Sequence, residues 1–243
     1  MREQEDTEDA GNEMDAEKEQ EIDDCEEEGI VEDPIYSHLN PEGILESPFA
    51  GNIGSTMTKK LIIQETEVLE DKTQKLDQWQ RKVIDTGIKY ARDTVKSRKA
   101  PNKAPSAPKL VVTGGAGSGK STVIEILCQW IHKILQKPGD DPDCPHILKT
   151  ATTGAAGVLI GGVTLHSALK FNFEGKHTSL SDKKREEMRD LYKNLRALVV
   201  DEFSMMKPEI LYRVDLRLKE IKQNDKDFGG VAVFLFGDIL QVI

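Results

Sequence analysis

Apolar positions recur at helical spacing between residues 76 and about 95, at Leu76, Trp79, Val83, Ile84, Ile88 and Ala91, and predict an amphipathic helix there. Trp79 falls on that apolar stripe and Trp130 on the stripe of a later helix, so both are expected in the core rather than as stacking surfaces. A Lys/Pro-rich loop covers 97–108, after which short apolar runs alternate with helical segments. Strands are predicted at Lys109–Thr113, Ile147–Ala151, 196–201 and 231–236. Helices are predicted at 120 to about 136, at Gly154–Leu159, at 181–192 with Ser181 as its cap, and at 208 to about 221. A Pro/Asp-rich loop occupies 137–145, and no internal repeat is visible. Apolar strands alternating with helices indicate an α/β fold with a mostly parallel sheet covered on both faces.

Charge changes the picture at the start of the chain. Residues 1–34 hold seventeen Asp or Glu against two basic residues, a net of −15, with almost no large apolar side chains. Such a segment buries too little surface to offset its ordering entropy, so a disordered acidic tail is expected over 1–34. The remainder has 26 acids and 31 bases, a net of +5, which is compatible with a phosphate-rich partner. Residues 35–75 contain Pro, Gly and Ser with one apolar patch at Leu61, Ile62 and Ile63, and read as a linker of marginal structure. The domain proper is expected over 76–243. The sequence stops at Ile243, soon after the last apolar strand, so the chain reads as a fragment truncated at its C-terminus.

Cys25, Cys128 and Cys144 show no paired spacing, and nothing completes four ligands around Cys144 and His146, so no structural zinc is expected. No apolar run approaches the length of a membrane span. The acidic start resembles neither a signal peptide nor an Arg-rich mitochondrial presequence, and the reading is of a soluble, intracellular protein.

The chemistry concentrates at Gly114, Gly115, Ala116, Gly117, Ser118, Gly119, Lys120 and Ser121, with Thr122 next, a string that satisfies G-x-x-x-x-G-K-[ST]. Glycines let successive backbone N–H groups turn inward around a phosphate without a Cβ in the way. Lys120 supplies a point charge to the β/γ oxygens and Ser121 a hydroxyl to Mg²⁺. The string follows a predicted strand and opens a predicted helix, the context a phosphate-binding P-loop requires. At the end of a neighbouring strand stand Asp201, suited to hold Mg²⁺ through water, and Glu202, suited to orient or deprotonate an attacking water. ATP with Mg²⁺ is the expected ligand. A guanine-specific site wants N-K-x-D, and Asn224, Asp225, Lys226 and Asp227 do not supply it.

With these pieces in order, the sequence from about residue 76 to 243 resembles the Pif (petite integration frequency) family of DNA helicases, in the RecD-like branch of superfamily one. Residues 76–81 (L-D-Q-W-Q-R) look like the family's Q motif, which implies that Gln80 reads the adenine edge. Residues 150–156 (T-A-T-T-G-A-A) resemble motif Ia, T-A-P-T-G-x-A, with Thr152 in place of the proline, a change expected to loosen that loop. Residues 162–167 (G-V-T-L-H-S) are similar to the element that follows it, and 199–205 (V-V-D-E-F-S-M) to motif II, with Phe203 for a branched aliphatic residue. Residues 228–231 (F-G-G-V) and 237–241 (G-D-I-L-Q) resemble motif III, with Val242 where leucine is usual.

The resemblance implies the first RecA-like domain of a two-domain motor that moves 5′ to 3′ on single-stranded DNA. Roles in DNA repair, recombination or telomere maintenance, with DNA junctions as substrates and a nuclear location, are implied with it. Thr153, Gly154, Thr164, His166 and Ser167 would face single-stranded DNA, and Gln241 would sense the γ-phosphate. Lys120, Glu202 and Gln241 form the implied catalytic set. Taken as a fragment, the chain is expected to bind ATP weakly and hydrolyse it very slowly, lacking arginine fingers from a second RecA-like domain. A non-motor P-loop ATPase, and a transposon-derived binding module whose acidic tail recruits protein partners, are the alternatives of other classes.

Overall fold

The computed structural model describes residues 64–99, 105–141, 143–172 and 178–242, all within one compact unit, Ser47–Ile243. The acidic tail and residues 35–63 of the expected linker lie outside the described residues. Residues Thr66–Gln74 do not behave as a linker: they form helix α1, whose Leu69 is fully buried. Trp130 Nε1 donates to Thr73 Oγ1 (3.0 Å), and Lys72 pairs with Glu125 (3.1 Å), fastening α1 to a later helix. The polar majority in 66–74 masks a single apolar anchor, too little for periodicity to register.

Helix α2 spans Gln78–Ser97 and begins with a reciprocal cap: Asp77 accepts from the Trp79 and Gln80 amides, and Gln80 Oε1 accepts from the Asp77 amide. Trp79 departs from expectation. It is 74% exposed, with Lys82 Nζ 5.6 Å from its ring centre, whereas Trp130 is in the core. In the first turn of a helix, helical spacing alone does not place a side chain against the core.

Five parallel strands follow, β1 (Lys109–Thr113), β2 (Ile147–Ala151), β3 (Val163–Thr164), β4 (Ala197–Asp201) and β5 (Ala232–Gly237), in the spatial order β1-β5-β4-β2-β3. Their connections include α3 (Lys120–Leu135), α4 (Gly154–Leu159), α5 (Leu165–Leu169), α6 (Asp182–Leu191) and α7 (Pro208–Lys222). Strand β3 and helix α5, two and five residues long, are too short to show a period and were not expected. Ser181 does precede α6, yet its side chain makes no capping bond.

Alternation along the strands separates two cores. Phe234, Phe236, Val199 and Ile147 pack with α1, α2 and α3; Val233, Leu235, Leu198, Val200 and Leu148 pack with α5, α6 and α7. Both faces of β4 and β5 are buried, as continuous apolar runs require. Lys222 Nζ ties the end of α7 to the carbonyls of Tyr192, Lys193 and Leu195. The His146 ring contacts the Asn194 carbonyl (3.2 Å) and the Asp140 carboxylate (2.8 Å), so the Cys144–His146 pair is built into the loop packing.

Two substitutions test this packing. Leu69→Ala is expected to lower stability in urea unfolding by about 2–5 kcal/mol, as for a core leucine; a loss under about 0.5 kcal/mol would mean that α1 is not held by the core. Gly162 lies so close to the Lys149 carbonyl that a β-carbon would collide with it. Gly162→Ala should therefore cost about 1–3 kcal/mol by overpacking, and an unchanged Tm would contradict that placement.

Candidate functional site

The C-terminal ends of the strands carry the polar residues. The Gly114 amide donates to the Gly237 carbonyl (3.2 Å), continuing the β1–β5 pairing into the P-loop. The loop then turns on Gly117 (φ 75°) and Gly119 (φ 78°), left-handed conformations that glycine adopts without steric cost. Gly119 is the N-cap of α3, so the helix amides and the positive end of its dipole face the loop. Lys120 Nζ donates to the carbonyls of Gly114 (2.6 Å) and Gly115 (3.1 Å), laying its ammonium across the loop. Ser121 and Thr122 occupy the exposed side of the first turn.

Asp201 ends β4 and Glu202 follows in a left-handed conformation (φ 54°, ψ 39°), which costs a residue with a Cβ about 1–3 kcal/mol. Its backbone is held by three bonds. The Glu202 amide donates to Asp201 Oδ1 (3.0 Å), and the Glu202 carbonyl accepts from Thr152 Oγ1 (3.0 Å) and from the Met205 amide (3.1 Å). Burial, opposed by the Glu202 amide and reinforced by the Glu202 charge, lifts the Asp201 carboxyl above the usual carboxylate range. A buried carboxylate and an exposed helix-start hydroxyl are hard oxygen donors of the kind a divalent cation takes alongside phosphate and water. Phe203 packs its ring against Gly237, so the larger side chain is accommodated where the strand has no Cβ.

Gln80 reaches the same loop. Its Nε2 donates to the Ser118 carbonyl (2.9 Å) while its Oε1 serves the α2 cap, so both ends of the amide are engaged. Beside it, Trp79, Gln80, Val83, Val111, Ser118 and Lys120 line a cavity of about 440 Å³. A larger cavity of about 810 Å³ lies among Arg98, Lys109, Arg196 and Lys226 at the opposite end of the strands, away from these groups. Gln241 is exposed in a 3₁₀ turn, Ile239–Val242, and the structure gives its side chain no partner in the P-loop.

Two residues escaped the sequence reading of the site. Asp238 is buried directly after β5, its carboxylate toward Gly115 and accepting from the Leu240 amide (3.0 Å). Its place in the G-D pair was the available signal. Thr152 contacts motif II, which nothing local in the sequence could indicate.

The residues expected to face DNA gather along β2 and β3, where Ala151 pairs with both Asp201 and Thr164. Thr153 Oγ1 accepts from the Ala156 amide (3.3 Å) as the cap of α4, and Thr164 Oγ1 from the Ser167 amide (3.2 Å) as the cap of α5. Each hydroxyl keeps its own proton for a further acceptor. Gly154 is the exposed first residue of α4; His166 and Ser167 stand half-buried in α5. The His166 ring meets Phe171 edge-on, with centroids 5.8 Å apart. Arg213 in turn sits 4.7 Å from the Phe171 ring and donates to both Asn172 oxygens (2.9 Å each). Burial first, and then the Arg213 charge, push the His166 imidazole below its usual value.

A profile of the PIF1-like helicase family matches residues 75–243, more than half of the chain. The chain belongs to the PIF1-like helicase family. It is 32% identical over 136 residues to the ATP-dependent DNA helicase PIF1 of Saccharomyces cerevisiae, covering 55% of this chain and 15% of that one. It is 36% identical over 137 residues to the ATP-dependent DNA helicase PIF5 of Trypanosoma brucei brucei, covering 55% and 14%. Among solved structures, the Pif1 helicase from Candida albicans superposes with a TM-score of 0.51 at 26% identity, over 68% of this chain and 32% of that one. The PIF1-like chain thus spans about one-seventh of the length of these curated relatives.

His166 should be neutral at pH 7. Because its folded value lies below the usual one near 6.5, its contribution to stability is present above pH 6.5 and lost as pH falls through the folded value. In an NMR titration His166 should titrate below 6.5, and Arg213→Met should move its midpoint upward. A native midpoint above 6.5 would contradict the electrostatic account.

Proposed function

We propose that this chain supplies the ATP-binding RecA-like part of an ATP-dependent DNA helicase that moves 5′ to 3′ on single-stranded DNA. The observation that carries the reading is that the Lys120 loop and the Asp201–Glu202 pair lie at the same end of one parallel sheet. Backbone amides of 114–121 cradle the β- and γ-phosphates, with Lys120 exchanging its two loop carbonyls for phosphate oxygens. Ser121 and Asp201 would hold Mg²⁺, whose contribution is to neutralise charge on the transferring phosphoryl group. Glu202 orients the attacking water, Gln80 reads the adenine edge across the adjacent cavity, and Gln241 senses the γ-phosphate.

Thr153, Gly154, Thr164, His166 and Ser167 contact the phosphates and sugars of single-stranded DNA, including that at DNA junctions. A neutral His166 serves here as donor or acceptor rather than as a cation. Family membership and the helicase names of the relatives support this reading. No helix among the described residues is long and apolar enough to cross a membrane. Work in the nucleus on repair, recombination or telomere maintenance fits such a substrate, with protein partners recruited by the acidic segment.

The test is direct. Titration with a fluorescent ATP analogue and Mg²⁺ should show binding that Lys120→Ala weakens by roughly 100-fold, the loss of charge-assisted contacts. Glu202→Gln should leave that affinity within about threefold while slowing hydrolysis by about 10²–10⁴. Unchanged affinity in Lys120→Ala would overturn the nucleotide site; hydrolysis indifferent to oligothymidine would instead favour a P-loop ATPase that is not a DNA motor.

A further inference from the structure

The left-handed backbone of Glu202 is uncommon for a residue with a Cβ and carries a steric cost that its surroundings offset. One of the groups that hold that backbone comes from a different element. Thr152, the residue after β2, donates its hydroxyl to the Glu202 carbonyl (3.0 Å) and its amide to the Asp201 carbonyl (3.3 Å). Both donors therefore land on the acidic pair. The next residue, Thr153, caps α4 and belongs to the surface read above as facing DNA. A single peptide unit separates the bond to Glu202 from the cap of that helix.

We propose that Thr152 is a positioning residue that holds Glu202 in place and passes movement of the 153–167 surface to it. The proposal rests on the functional reading above. The motif Ia pattern that the sequence resembles has proline at this position, and proline has neither an amide hydrogen nor a hydroxyl to give. The substitution that was expected to loosen this loop instead ties it to the acidic pair. When a strand displaces Thr153 or Gly154, the Thr152 hydroxyl moves with them, and the Glu202 carbonyl loses or tightens a bond that its conformation depends on. Nucleotide hydrolysis then responds to DNA through this contact.

The experiment compares the native 243-residue chain with Thr152→Val, which keeps the shape and the amide, and Thr152→Ser, which keeps the hydroxyl. Binding of Mg²⁺ with an ATP analogue, and of oligothymidine, is measured separately for each, then single-turnover hydrolysis with and without oligothymidine. Thr152→Val should bind each ligand alone within about twofold of native and lose about fivefold of the DNA stimulation, the loss of one neutral hydrogen bond. Thr152→Ser should restore it. Amide exchange at Glu202 and Met205 reads the same link without turnover: oligothymidine should change it in the native chain and in Thr152→Ser, and not in Thr152→Val. The proposal is overturned if Thr152→Val keeps the native DNA response in both measurements, or if it slows hydrolysis equally with and without DNA. A native chain that binds neither ligand overturns the functional reading, and this inference falls with it.

Discussion

Parallel strand pairing is the constraint on which everything else depends. It sets Thr113 beside Gly237, Ala151 beside Asp201 and Thr164 beside Ala151, so that the C-terminal ends of the strands, and the residues that follow them, lie along one edge. A one-residue slip would reverse every side chain on the slipped strand. Such a slip is opposed from both sides, since Phe234 and Phe236 are committed to one core while Val233 and Leu235 are committed to the other. The packing that stabilises the sheet therefore also fixes how the 114–121 loop and the Asp201–Glu202 pair, contributed by separate parts of the chain, lie relative to each other.

Three left-handed residues stand at that edge: Gly117, Gly119 and Glu202. Gly117 and Gly119 accept left-handed backbone at no steric cost, but Glu202 does not and depends on three hydrogen bonds to stay there. Electrostatics follow the same division. Asp201 is buried next to another acid, which raises its carboxyl, and the Lys120 charge draws it back toward the ionised form. Lys120 meanwhile donates to the loop carbonyls of Gly114 and Gly115, bonds weaker than those an ammonium makes to an anion.

Much of this was legible in the sequence because it is local. The four longer strands, the P-loop with its strand before and helix after, and the adjacent Asp201 and Glu202 follow from period, glycine spacing and residue type. What escaped was short or non-local. Strand β3 has two residues and only its pairing with β2 defines it. Helix α1 hides one buried leucine in a polar stretch, and Trp79 sits on an apolar stripe that the first turn of α2 turns toward solvent. The bond from Thr152 to Glu202 joins residues fifty positions apart, and no rule of spacing reaches that far.

The central claim is that the 114–121 loop and the acidic pair together form one nucleotide site. A crystal structure of the chain with Mg²⁺ and a non-hydrolysable ATP analogue tests it most directly. The account predicts the β- and γ-phosphates inside the loop, Lys120 Nζ transferred from the Gly114 and Gly115 carbonyls to phosphate oxygens, and the metal between Ser121 and Asp201. A nucleotide bound elsewhere, or a Lys120 still bonded to its own loop with the analogue present, would contradict it.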